Sequence, residues 1–117
     1  MADIMTLQNI EKSYGDKIRT QVLFGIDLAI ETGSFNSIIG QSGSGKSTLM
    51  NIMGTLDQPT SGTVTIDGTE TTKMSRKQLA VLRNRTIGFV FQFHYLLPEF
   101  TVIENLLMPY RIAHGTV

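Results

Sequence analysis

The run Gly40-Gln41-Ser42-Gly43-Ser44-Gly45-Lys46-Ser47 places a lysine and a hydroxyl directly behind a glycine-rich loop. It satisfies the pattern G-x-x-x-x-G-K-[ST], whose chemistry is the holding of phosphates. Glycines at 40, 43 and 45 let the backbone aim successive N–H groups at one point, and a helix opening near Lys46 adds the positive end of its dipole. On that geometry Lys46 reaches between the β- and γ-phosphates of a nucleoside triphosphate. The Ser47 hydroxyl then ligates Mg2+ and Thr48 helps hold the α-phosphate. The bland alternative, a Gly/Ser-rich loop with no role, fits poorly with the elements around the motif.

Such a loop needs a strand before it and a helix after it. Phe35 to Ile39 reads as a short strand, and from Lys46 to Gly54 the residues Leu49, Ile52 and Met53 share one helical face. Methionines at helical spacing, Met50 and Met53, read as packing on that helix rather than as contacts to a cofactor. Upstream, Ile4 to Glu11 alternates loosely, and Val22 to Ile30 puts Val22, Phe24, Ile26, Leu28 and Ile30 on one face, so two strands are expected around a turn at Tyr14-Gly15-Asp16-Lys17. Downstream, Asp57 to Gly62 is a loop, Thr63 to Ile66 a strand, and Asp67-Gly68 a turn. Ser75 is placed to cap a helix running to about Asn84, Ile87 to Phe91 reads as a buried strand, and a short helix is expected over Val102 to Leu107.

Composition bounds the rest. With 117 residues, 41% apolar and 17% charged, the chain has the make-up of one soluble domain. Ten basic residues balance ten acidic ones, so there is no broad field for nucleic acid. The basic residues Lys73, Arg76, Lys77, Arg83 and Arg85 lack interleaved aromatics and read as a solvated helix face. The absence of cysteine excludes disulfides and cysteine-ligated metal and fits a reducing compartment. No stretch approaches the roughly 18 apolar residues of a membrane span, and the amino terminus lacks a secretory pattern.

Gly33-Ser34-Phe35, the phosphate loop, Ser47-Thr48-Leu49, and Pro59-Thr60-Ser61-Gly62 followed by Ile66-Asp67-Gly68 together resemble the ATP-binding subunits of ABC transporters. Ile87 to Gln92 resembles the strand and Q-loop of that family, and Phe93 to Asn105 is similar to its lipoprotein-releasing and macrolide-export branch. The resemblance covers nearly the whole chain. It implies an α/β fold, a P-loop NTPase core with an antiparallel β-subdomain, with residues 1–117 forming the amino-terminal part of the ATP-binding domain. It also implies ATP and Mg2+ as cofactors, with Tyr14 stacking on the adenine and Val22 supporting the base from the side. Gln41, Ser42 and Ser44 complete the phosphate loop, and Gln92 reaches Mg2+ and the attacking water. His94 is expected at a surface or partner contact, with no chemistry assigned.

Two departures are visible: Asn36 stands where the family has an apolar or small residue, and Gln41 where proline is common. Asn36 then needs a hydrogen-bond partner or an exposed face. The family's serine-glycine-glycine signature, Walker B carboxylates and switch histidine have no match in the sequence, so the fold is expected to be incomplete and the chain alone to hydrolyse ATP at background rate. Independent folding is in doubt on the same reading. The partners implied are membrane permease subunits, through Phe93 to Asn105, and a second ATP-binding subunit; no nucleic acid is expected. The implied location is the cytoplasm, peripheral on the inner face of the cell membrane. Two other readings stay open: a nucleotide-binding fragment that does not hydrolyse, and a soluble ABC-type ATPase of translation or DNA repair.

Overall fold

The structure is a computed structural model that describes residues 2–93 and 95–115. The chain divides into two compact units, Met1–Met74 and Ser75–Val117.

In the first unit the two alternating segments become long antiparallel strands, β1 (Asp3–Tyr14) and β2 (Thr20–Glu31). Gly15 makes the turn between them possible, because at φ 105° a Cβ would lie 2.0 Å from the Ile18 carbonyl oxygen. Strand β3 (Ser61–Ile66) pairs with the other edge of β1, and β4 (Thr69–Glu70) follows it, giving the order β2-β1-β3-β4. Leu7, Ile10, Leu23, Val64 and Ile66 are buried from the sheet, and Leu49 and Ile52 from helix α1 (Lys46–Met53). Met53 is half-buried, but Met50 faces outward and does not pack in the core.

The single apolar face expected for β2 is broken at Gly25. Ile10 pairs with Ile26 and Glu11 with Phe24, so Gly25, at φ 69°, is an extra residue on β2. Past this bulge the alternation changes phase: Leu23 is buried while Phe24 is 69% exposed. Strand β1 bends at the same place, where Asn9 takes φ 50° and its N–H donates to Asp27 Oδ1 at 2.8 Å. Strand β3 comes close there through Gly62 (φ 100°), where a Cβ would sit 2.4 Å from the Asn9 carbonyl oxygen.

Two expected strands do not form. Phe35 to Ile39 has no regular structure and carries no ladder, with Phe35 99% and Ile39 91% exposed. Ile87 to Phe91 is also irregular, and Val90 is fully exposed. An apolar run becomes a buried strand only when neighbours pair with its edges, and no described strand pairs with either segment. Asn36 meets its need locally, its amide donating to Ser34 Oγ at 2.8 Å.

The second unit holds α2 (Arg76–Thr86) and α3 (Val102–His114). Ser75 caps α2 as its spacing predicts, with Gln78 reciprocating in a capping box. Thr101 and Glu104 form a second capping box at the start of α3, and the helix outruns the expected Leu107 limit because it continues through Pro109 to Gly115, which ends it at φ 69°. Asn84 Nδ2 donates to the Pro109 carbonyl at 2.9 Å, tying α2 to α3. Among the described residues no helix is long and apolar enough to cross a membrane.

Replacing Gly62 by alanine forces a Cβ onto the β1 backbone at a left-handed residue. The expected loss of stability is about 2–3 kcal/mol, read as a lowered urea midpoint of the full chain.

Candidate functional site

The first turn of α1 begins at Gly45, whose φ of 98° bends the chain into the helix, and no side chain caps it. Gly43 is also left-handed, at φ 81°. With helix N–H groups left uncapped by side chains, this end of α1 presents donors and a positive dipole to whatever lies before it. Gly45 also sits hard against β2: a Cβ would meet Leu23 Cδ2 at 3.1 Å and Val22 Cγ1 at 3.3 Å. Glycine at this position therefore answers both a backbone and a packing demand.

Lys46 folds back across the loop. Its ammonium donates to the carbonyls of Gly40 and, at 2.7 Å, Gln41, and lies 3.5 Å from Ser44 Oγ. Ser44 N–H closes the turn onto the Gln41 carbonyl at 3.1 Å. In front of the loop is a cavity of about 430 Å³ lined by Val22, Ser42, Gly43, Gly45, Lys46, Ser47 and Thr48. This is within the range of small-molecule sites. Its polar groups are an ammonium, hydroxyls and backbone amides, a set matched to a polyanion.

The structure thus gathers Val22 with most of the loop residues singled out from the sequence, while Gly40, Gln41 and Ser44 act behind them through Lys46. Tyr14 is not part of the cavity lining. It ends β1, is 43% exposed, and donates its hydroxyl to Asp57 Oδ2 at 3.0 Å. Lys12 Nζ lies 5.0 Å from the Tyr14 ring centroid and also donates to Asp57 Oδ1 at 3.1 Å and to the Gln58 carbonyl at 2.6 Å. Sequence reasoning missed Lys12 and Asp57. The signal for Lys12 was its spacing, since residues two apart on a strand share a face; nothing local marks Asp57.

Gln92 belongs to the second unit, where it is exposed at a bend following the stacked rings of Phe89 and Phe91, whose centroids are 5.3 Å apart. His94 lies outside the described residues. Among the described residues no group of three or more His, Cys, Asp or Glu could hold a metal ion.

The family model for ABC transporters matches residues 23–116. The lipoprotein-releasing system ATP-binding protein LolD of Bacteroides thetaiotaomicron is 56% identical over 110 residues, covering 94% of this chain and 49% of that protein. That of Shewanella frigidimarina is 52% identical over 107 residues, covering 91% of this chain and 45% of its own length. The chain spans about half the length of the curated relatives it matches. Among solved structures, the dimeric structure of MJ0796, a bacterial ABC transporter cassette, is similar at a TM-score of 0.88 and 41% identity, over 93% of this chain and 47% of that one. A post-hydrolysis state of the same cassette, bound to ADP and Pi, matches equally well.

Partial burial pushes the Asp57 carboxyl up, but hydrogen bonds from Lys12, Tyr14 and the Gln58 N–H, with the nearby Lys12 charge, outweigh it and hold it below its ordinary value of 3.8. A carboxylate whose pKa is lowered by folding contributes its stabilisation in full above the ordinary value and loses it as pH falls through the folded value. Asp57→Asn should therefore lower the urea midpoint at about pH 6, with the gap to the parent shrinking toward about pH 3. A gap that stayed constant over that range would show that the Asp57 charge contributes nothing.

Proposed function

This chain belongs to the ABC transporter family, and from that membership we propose that it is the nucleotide-holding part of an ATP-binding subunit that drives lipoprotein release through membrane partners. The observation that carries the proposal is the cavity in which the uncapped first turn of α1, the left-handed Gly43 and Gly45, and Lys46 converge. Its similarity to a cassette solved with ADP and Pi supports the choice of ligand.

The roles follow from donor counting. Lysine has three N–H donors; two meet the carbonyls of Gly40 and Gln41, and the third has only the long contact to Ser44 Oγ, leaving it for a phosphate oxygen. The N–H groups of the loop and first turn of α1 that carry no internal partner, those of Gly45 to Thr48 among them, would face the β-phosphate, and Thr48 would take the α-phosphate. Ser47 lines the cavity with a hydroxyl, the donor type that Mg2+ accepts beside phosphate oxygens, so this residue would hold the ion. When bound, Mg2+ neutralises charge building on the phosphates. Val22 supports the base and Tyr14 stacks on it; Gln92 acts toward metal and water by its resemblance alone.

The groups lining the cavity bind and orient; the side chains among them that carry protons are hydroxyls and one ammonium, none of them a base for the attacking water. We therefore assign binding to residues 1–117 as one amino-terminal domain portion, with turnover by the chain alone at background rate. The exposed apolar side chains Phe93, Tyr95, Leu96, Leu97 and Phe100 support a permease contact across Phe93 to Asn105, and the dimeric form of the similar cassette supports a second ATP-binding subunit. Such a subunit works at the cytoplasmic face of the membrane. The names of the relatives favour transport over a soluble role in translation or DNA repair.

Titration with a fluorescent ATP analogue and Mg2+ tests the reading. Lys46→Ala should weaken binding about 10- to 100-fold, the effect of losing a charged hydrogen-bond donor. Tyr14→Ala should weaken it roughly 5- to 50-fold through lost base stacking. Unchanged affinity in Lys46→Ala would overturn the phosphate site, and steady phosphate release from Mg-ATP at family-like rates would overturn the assignment of binding without turnover.

A further inference from the structure

Tyr14 is the last residue of its strand and is 43% exposed, a position where a tyrosine ring ordinarily samples several rotamers. Here two contacts restrict it, and one of them is itself held in place. Its hydroxyl is held by Asp57 Oδ2 at 3.0 Å, the Lys12 ammonium lies 5.0 Å from its ring centroid, and that ammonium is itself fixed by Asp57 Oδ1 at 3.1 Å and the Gln58 carbonyl at 2.6 Å. The Lys12 side chain is only 13% exposed, so its charge depends on these partners.

Asp57 is in turn held by the helix that starts at the phosphate loop. The N–H groups of Leu56 and Asp57 both donate to the Asn51 carbonyl in α1, at 2.9 and 3.2 Å. Beyond it, Gln58 N–H donates to Asp57 Oδ1 at 2.8 Å, Thr60 N–H to the Glu11 carbonyl at 2.8 Å, and Ser13 N–H to Thr60 Oγ1 at 3.0 Å. The loop carrying Asp57 is thus fastened to α1 on one side and to the end of β1 on the other.

We propose that Lys12 and Asp57 are positioning residues for Tyr14: they fix the plane of its ring, leave the face away from the ammonium for a purine base, and tie that ring to the helix whose first turn holds the phosphates. This inference rests on the stacking role given to Tyr14 above. A ring already oriented loses less freedom when the base arrives, so the contribution appears in affinity for the base and not for the phosphates. The cation on one face also polarises the ring that the base meets on the other.

The test compares Mg-ATP with Mg-tripolyphosphate, which has phosphates but no base, on the full chain carrying Tyr14→Phe, Asp57→Asn, both, or Tyr14→Ala. Tyr14→Phe and Asp57→Asn should each weaken ATP binding about 3- to 10-fold while tripolyphosphate affinity stays within about twofold. The double variant should be little worse than either single one, as for two partners of one interaction. Tyr14→Phe binding ATP like the parent would overturn the inference, as would Asp57→Asn weakening both ligands equally. If Asp57→Asn fails to fold, Tyr14→Phe decides, because it removes one exposed oxygen and leaves the ring. Tyr14→Ala separates the two layers: weaker ATP binding there with no effect in Tyr14→Phe keeps stacking and rejects positioning, whereas unchanged ATP binding in Tyr14→Ala rejects stacking and positioning together.

Discussion

The close seat of Gly45 on β2 is the constraint from which the rest of the site follows. At φ 98° and with Val22 and Leu23 within van der Waals reach of any added Cβ, this residue must be glycine for α1 to start where it does. The same contact brings the Val22 side chain beside the phosphate loop and buries Leu23 with Leu49 and Ile52. A backbone requirement of the loop and a packing requirement of the sheet are therefore met by one residue. Binding geometry and core packing cannot vary independently there.

Two lysines serve the site in different ways. Lys46 spans its own loop and fixes the carbonyls of Gly40 and Gln41, which holds the loop closed and leaves the third donor with only the long contact to Ser44 Oγ. Lys12 is surrounded by a carboxylate, a carbonyl and an aromatic face, and its role is internal support. Burial decides between them: the first is part of a cavity wall, the second is largely withdrawn from water. Both depend on backbone carbonyls, which neither titrate nor change length with side-chain substitution.

Much of this could be read from the sequence where the determinants are local. The start of α1 behind the glycine-rich loop, the Ser75 cap and the turns at Gly15 and Gly68 depend on residues a few positions apart, and they form where expected. The Thr101 capping box is equally local and marks the start of α3, while its end past Leu107 was signalled by Gly115, which closes the helix in the left-handed region. What escaped depended on distant partners. The bulge at Gly25 exists because β1 bends opposite it, and Asp57 matters because a residue more than forty positions earlier lies against it. Alternation along one strand carries no information about either.

Phe35 to Ile39 and Ile87 to Phe91 show the same limit from the other side. Their apolar composition is that of strands buried among parallel neighbours, yet no described strand pairs with them. The walls of the cavity do not come from those segments: they come from β2, the phosphate loop and α1, all within the first unit and all ordered by local turns or antiparallel pairing. Contacts of that kind form at low loop-closure cost, whereas parallel pairing needs partners distant in sequence. The cavity walls can therefore form without strand pairing by either segment. The lead-in from Phe35 is tied to the loop by the Gly40 carbonyl, which accepts from the Lys46 ammonium, rather than by a strand ladder.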